Sequence, residues 1–339
     1  MALSHTVGSK LSTAVQSTAN NMDAVDAVRA FFLFATCTTL SVSCIPYFRV
    51  RFVDYGPRAA NSSAAVNAPT SPLTRFVDYL ATWRVPHSYF THFYVVSVLS
   101  SIFWATQLLS RGPAFTFIAA HINEEHRSSS MSLNQVMLCW ALMTVQGARR
   151  LYECLATAKS SSSQMWFVHW LLGIAFYIAM NLAIWVEGVG TILTQDITLY
   201  HLRVTSVPTP RTLLCLPLFL LASGLQHDCH HYLASLKKYT LPAHPLFLWI
   251  VCPHYTAECT IYLSLALLAA PPGDTINKTV LSGLLFVAVN LGITAASSKR
   301  WYMQKFGPEN VDTVSMQEPY VADFHAVFGG HLIRNPGSS

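Results

Sequence analysis

The chain has 339 residues, 52% of them apolar and only 11% charged, against roughly 25% charged in soluble domains. That balance excludes a water-soluble globular class. The formal charge of +5 calls for no nucleic-acid partner, because insertion into a membrane already accounts for where the basic residues stand.

In chain order, residues 1–27 read as a polar tail rich in Ser and Thr, with no apolar core of a cleavable signal. Apolar runs long enough to span a bilayer follow at Val28–Phe48, Tyr89–Leu109, Ser132–Gly147, Met165–Trp185, Leu213–Gly224, Leu246–Ala269 and Val280–Ala296. The third and fifth are short, and the fifth contains Pro217. The expected fold is therefore an all-α integral membrane protein, a bundle of seven transmembrane helices over residues 28–306. A small, polar stretch, "AANSSAAVNAPTSP" (59–72), reads as a flexible linker inside the first loop. Residues 307–339 form a tail unlike the rest, without a span-length apolar run. Eight cysteines are scattered, mostly in apolar spans and with no C-x-x-C; they read as small core residues, neither disulfides nor a zinc site.

Cytosolic loops retain Lys and Arg during insertion. With the N-terminus lumenal and the C-terminus cytosolic, fourteen of the twenty-one basic residues fall on the cytosolic side. The sequon Asn277-Lys278-Thr279 then lies in a lumenal loop, close to the membrane, and Asn61-Ser62-Ser63 lies on the cytosolic side.

The stretch "SGLQHDCHHYLASLKKY" (223–239) sets His227, His230 and His231 in the H-x-x-H-H spacing with which membrane desaturases hold a pair of irons. Such a site needs about eight histidines converging on one face. The other candidate, "HINEEH" (121–126), falls in a lumenal loop, whereas the first begins a cytosolic one. The two would sit on opposite sides of the bilayer, so no metal is expected and the stretch reads as a polar loop over an anionic cofactor.

Three further stretches share that cytosolic side: "ARRLYECL" (148–155), "VCPHYTAE" (251–258) and "SKRWYMQKF" (298–306). With "VPHSYFTHFYVVSV" (85–98), their order and spacing resemble the steroid 5-alpha-reductase family, and within it the polyprenol reductase branch of dolichol biosynthesis. The resemblance runs from about Arg49 to Phe306. It implies an endoplasmic reticulum membrane enzyme that binds NADPH at the cytosolic ends of its helices. Hydride would go to the α-isoprene double bond of a polyprenoid whose tail lies in the bilayer, on the route to protein N-glycosylation. Steroid or trans-2-enoyl thioester reduction are the alternatives within the family.

Carried over residue by residue, the resemblance gives Arg150 as the arginine after the third span. Gln226 and His230 stand where steroid reductases carry Asn and Asp, and Lys237 replaces a cofactor-contacting arginine. His254, Tyr255 and Glu258 match an N-[YF]-x-x-E element, with His for Asn, while Arg300 and Tyr302 match a late R-[FW]-Y. Fixed cations suit the phosphates of such a cofactor, and an intramembrane acid such as Glu258 requires a partner. The family ending "YP…R…IPF" is missing here, and its Gly pair before "PHY" is replaced by Pro242-Ala243-His244-Pro245.

Hydride adds to a carbon–carbon double bond only if the electron pair it displaces can settle on an oxygen that meets a donor. The family's tyrosine position is Gly147, and its second-span acid aligns with His92. His92 is the expected donor, with Tyr94 and Tyr89 in reserve.

Overall fold

A computed structural model describes residues 23–53, 71–157, 163–197, 208–237, 239–308 and 311. The sequon at Asn61, most of the 59–72 linker, Lys238 and nearly all of the tail after Phe306 lie outside the described residues.

The fold is almost entirely helical. Its main elements are α1 (Ala24–Cys44), α2 (Pro72–Ala81), β1 (Arg84–Pro86), α3 (Thr91–Ser110), α4 (Leu133–Ala156), β2 (Gln164–Trp166), α5 (Phe167–Val186), α6 (Pro210–Ser235), α7 (Pro253–Leu268) and α8 (Lys278–Phe306). Five helical stretches are long and apolar enough to cross a membrane: α1, His87–Ser110 (which includes α3), α5, α6 and α8. The chain is thus an all-α membrane protein. Helix α4 is as long as these but carries Arg149, Arg150 and Glu153 in its last turns.

Several boundaries differ from the sequence reading for physical reasons. Asp23 caps α1, accepting a hydrogen bond from Val25 N–H, so residues 24–27 are its first turn and not tail. Helix α6 runs on through Pro217 for 26 residues. His227, His230 and His231 are therefore in its closing turns and not in a loop, and the i, i+3 spacing sets His227 and His230 on one face. The stretch 246–269 is two pieces, a short helix Pro245–Trp249 and then α7, which starts at Pro253, where the missing N–H of a proline in a first turn leaves no helical hydrogen bond unmade. Helix α8 ends at Gly307, whose φ of 90° few other residues adopt.

Helix α6 packs along α7, α7 along α8 and α8 along α1, while α3 packs against both α4 and α5. Apolar surface gains little from meeting apolar lipid, so close fit holds such helices together. Gly147 on α4 and Gly283 on α8 show it: a Cβ on the first would lie 2.8 Å from Ser97 Oγ, and on the second 2.2 Å from Met180 Cε. Phe176 binds the centre, its ring meeting Phe32, Tyr262 and Phe286 at centroid distances of 5.4–5.9 Å.

The long helices run alternately between two ends. At one end, α1, the 121–135 segment, the end of α5 and the starts of α6 and α8 are laced by side chains. Arg29 bridges Glu187 at 2.9 Å and donates to Thr279, and Gln135 donates to the carbonyls of Leu268 and Ala270. Arg211 reaches the carbonyls of Ala270 and Asp274, both at 2.8 Å. Asn277 is fully buried there, capping α8 and donating to the Ala269 carbonyl; its side chain does not face outward as a glycan acceptor must. At the other end a small antiparallel ribbon pairs β1 with β2, aligning Val85 with Met165.

In the laced end, burial by itself pushes the Asp23 carboxyl up. Hydrogen bonds from Asn123 N–H, His126 and Val25 N–H outweigh it and hold the group below its ordinary range. A folded-state value below the unfolded one stabilises the fold above about pH 4 and loses that contribution as pH falls. Asp23→Asn should therefore flatten the acid side of the stability profile, read as thermal unfolding of the detergent-purified chain from neutral pH downward.

Candidate functional site

The ribbon end of the bundle encloses a cavity of about 320 Å³ among α3, α4, α5, α6, α7 and α8. One wall is apolar, with Phe90, Phe93, Phe176 and Phe286; the other carries Tyr94, Arg150, Gln226, His230, His254 and Glu258. These polar residues come from four helices and are far apart in sequence.

Behind the polar wall lies Glu153, outside the cavity lining and 4% exposed. Its carboxylate pairs with both Arg149 and Arg150, one helical turn back on α4. On the facing helix, His227 Nδ1 lies 2.6 Å from the same carboxylate and His230 Nδ1 2.9 Å. His230 Nδ1 is also 2.6 Å from Arg150 Nη1, accepting from the guanidinium in one tautomer and donating to the carboxylate in the other. A carboxylate that holds one buried and one half-buried guanidinium group fixes where each fork points.

Arg150 turns the rest of its fork on Tyr94. Its Nε and Nη2 donate to the Tyr94 oxygen at 3.2 and 2.9 Å, and its guanidinium carbon stands 4.7 Å from the ring centroid. A guanidinium can only donate. The phenol oxygen thus accepts twice, and its own O–H proton is directed away from Arg150.

Gln226 links the arginines to α7. Its carbonyl oxygen accepts from Gln146, at 2.9 Å, and from Arg149, which leaves its NH₂ to donate to Glu258. Tyr262 also hydrogen-bonds Glu258, and Tyr177 beyond it. The partner that an acid within a span requires is thus an amide and a phenol. His254 sits edge-on to His230, with centroids 5.4 Å apart, and its Nδ1 is buried with no hydrogen-bond partner among the described residues.

Of the residues expected from sequence, Tyr94, Arg150, Gln226, His230, His254, Tyr255 and Glu258 line this one cavity. His92 and Tyr89 do not: both are exposed, and His92 packs on Tyr89 and Trp170 at 4.5 and 6.1 Å. Two positions on a helix span about 200°, so His92 and Tyr94 face opposite sides of α3. Lys237 and Arg300 are exposed outside the cavity, and Tyr302 is half-buried against Trp301 and Phe306. At Gly147 a Cβ would crowd Ser97 on α3; that close approach leaves no room for a tyrosine there and brings Tyr94 to Arg150 from the facing helix. Sequence reasoning passed over Glu153 and Gln146, although Glu153 lies four residues after Arg149 and three after Arg150, the spacing of helical ion pairs. Asn290 and Tyr177, which line the cavity while Glu153 and Gln146 stand behind it, carry no local signal.

Residues 174–314, which include α6, α7, α8 and most of α5, match the family model described as 3-oxo-5-alpha-steroid 4-dehydrogenase. Across a longer stretch the chain is 26% identical to the polyprenal reductase of Saccharomyces cerevisiae, covering 84% of this chain and 90% of that protein. It is 29% identical to polyprenal reductase 1 of Oryza sativa subsp. indica (67% and 77% covered) and 28% identical to polyprenal reductase 1 of Arabidopsis thaliana (73% and 81%). Shared sequence over most of the chain thus makes this protein similar to the polyprenal reductases, and residues 174–314 similar to the 3-oxo-5-alpha-steroid 4-dehydrogenase family.

Proposed function

We propose that this chain reduces the α-isoprene double bond of a long-chain polyprenal with hydride from NADPH, on the route to dolichol for N-glycosylation at the endoplasmic reticulum. The relatives named polyprenal reductase support the substrate class. The observation that carries the chemistry is the Tyr94 hydroxyl, polarised by two donations from Arg150 and buried in the cavity wall.

The cavity suits a dihydronicotinamide, a flat apolar ring with one carboxamide. Its aromatic wall fits the ring, while Gln226, Glu258 and the unpartnered His254 Nδ1 offer the mixed donors and acceptors a carboxamide needs. Arg150, His230 and Tyr255 would hold the same group, and the exposed Lys237 and Arg300, with Tyr302, are the residues left for its phosphates. When bound, NADPH supplies the hydride. The protein's part is to hold the aldehyde oxygen against the Tyr94 proton, so that the displaced electron pair settles on an oxygen that already has a donor. Arg150 keeps that phenol oriented, and Glu153 keeps Arg150 in place. The aromatic wall excludes water from the reacting carbons.

An aldehyde conjugated to the double bond accepts that electron pair; the carbinol of polyprenol does not. The one acid in the lining among the described residues, Glu258, is engaged by Gln226 and Tyr262. Purified full-length chain with NADPH should consume polyprenal and leave pure polyprenol untouched, as followed by lipid mass spectrometry. Turnover of polyprenol with no aldehyde and no second enzyme present would overturn this reading.

The alternation of the long helices and the charge bias support a single seven-span domain with the laced end lumenal and the ribbon end cytosolic. The cavity then opens to the compartment that holds the cofactor.

A further inference from the structure

We propose that α2 is an interfacial helix whose aromatic face lies in the headgroup region of the bilayer, beside the mouth of the cavity. Phe76 and Tyr79 are three residues apart and share a face. Both are 58% exposed, and Trp83, just past the helix end, is 42% exposed with its ring 5.8 Å from that of Tyr79. Three large aromatic groups side by side are an unusual thing to leave uncovered.

The other side of α2 is tied down. Asp78 pairs with Arg51 at 2.5 Å, the Leu80 carbonyl accepts from Trp166 Nε1 at 2.9 Å, and the Trp83 carbonyl accepts from Phe167 N–H at 2.8 Å. These bonds fix the helix to the segment after α1 and to the start of α5, while β1 carries it directly into the stretch that becomes α3. All three attachments are at the ends of membrane-crossing helices, so α2 is held at the level of the interface. Exposed Arg75 and Arg84 flank the aromatic face, where lipid phosphates would meet them. Tyr and Trp are enriched at that depth because a ring and a polar tip can each find their own solvent there.

The occupant we assign is therefore the lipid surface, not a protein. His87 and Phe90, immediately after β1, line the cavity, so the depth of α2 sets the depth at which the head of a lipid meets the site. The inference needs only a membrane protein and nothing of the reaction proposed above.

The test uses full-length Tyr79→Cys and Phe76→Cys variants in vesicles of phosphatidylcholine with a minority of phosphatidylserine. A water-soluble maleimide is added, and modification is read by peptide mass spectrometry, which separates these thiols from the native ones. Ala156→Cys, exposed at the ribbon-end terminus of α4, is the control. Both aromatic-face thiols should react about tenfold or more slowly than the control, since they meet the reagent only when the helix lifts off. Equal reactivity at all three positions would overturn the proposal. So would protection that grows with the protein-to-lipid ratio, which would mean that a second copy covers the face. No activity is measured, so failure here is distinct from failure of the proposed reaction.

Discussion

Tyr94→Phe should lower kcat on polyprenal by about 10²- to 10³-fold, the usual cost of removing one oxyanion donor. The ring would stay where it is. It packs edge-on against Phe90 and Tyr177, with centroids 5.6 and 5.4 Å away, and those contacts do not involve the hydroxyl. Arg150 loses an acceptor but keeps Glu153, so the variant should fold and bind NADPH much as wild type does. The check is steady-state kinetics beside cofactor titration by fluorescence. A loss of cofactor affinity with unchanged turnover of bound substrate would move Tyr94 from the reaction to the cofactor. His92→Ala is the contrasting variant: its exposed side chain should be removable with little change in kcat.

Glu153→Gln should have the largest effect on stability of any conservative change in the site. The amide keeps the shape and discards the charge, leaving Arg149 and Arg150 side by side with side chains 19% and 9% exposed. Removing one partner of a buried ion pair costs about 3–5 kcal/mol, because the remaining charge is left without compensation. Thermal unfolding in detergent, at matched lipid content, measures it. Adding Arg149→Gln should recover part of the loss, since it removes one of the two stranded cations; a double variant no more stable than the single would show that the pair is not where the energy lies.

Much of the bundle could be read from apolar runs, because a bilayer demands long helices and little else. The places where the reading failed have local causes. Pro217 looked like an interruption, yet neighbouring helices let a proline stand inside a span. The histidines after Gly224 looked like a loop because they are polar, but polarity there is demanded by Glu153 across the helix pair, which lies about eighty residues back in sequence. Of the motif residues, Arg150, Gln226, His230, His254, Tyr255 and Glu258 line one cavity, whereas Lys237, Arg300 and Tyr302 lie outside its lining. His92 failed because an ungapped alignment gives a position and not a face, and on a helix a shift of two residues turns a side chain to the other side. Glu153 carried a readable signal, its spacing from two arginines. Asn290 and Tyr177 carried none, since their part depends on how α5 and α8 lie against helices remote in sequence.

The lacing of the end opposite the cavity has a mechanical consequence. Arg29, Gln135, Arg211 and Glu187 fasten α1, α4, α5, α6, α7 and α8 at that end, while at the ribbon end the side chains around Arg150, Glu153 and Gln226 tie α3, α4, α6 and α7 together and β1 pairs with β2. The bundle is thus clamped at both ends, like a barrel between two hoops, and parting its helices at the cavity would first break the ion pairs and hydrogen bonds that hold Arg150 against Glu153 and Tyr94.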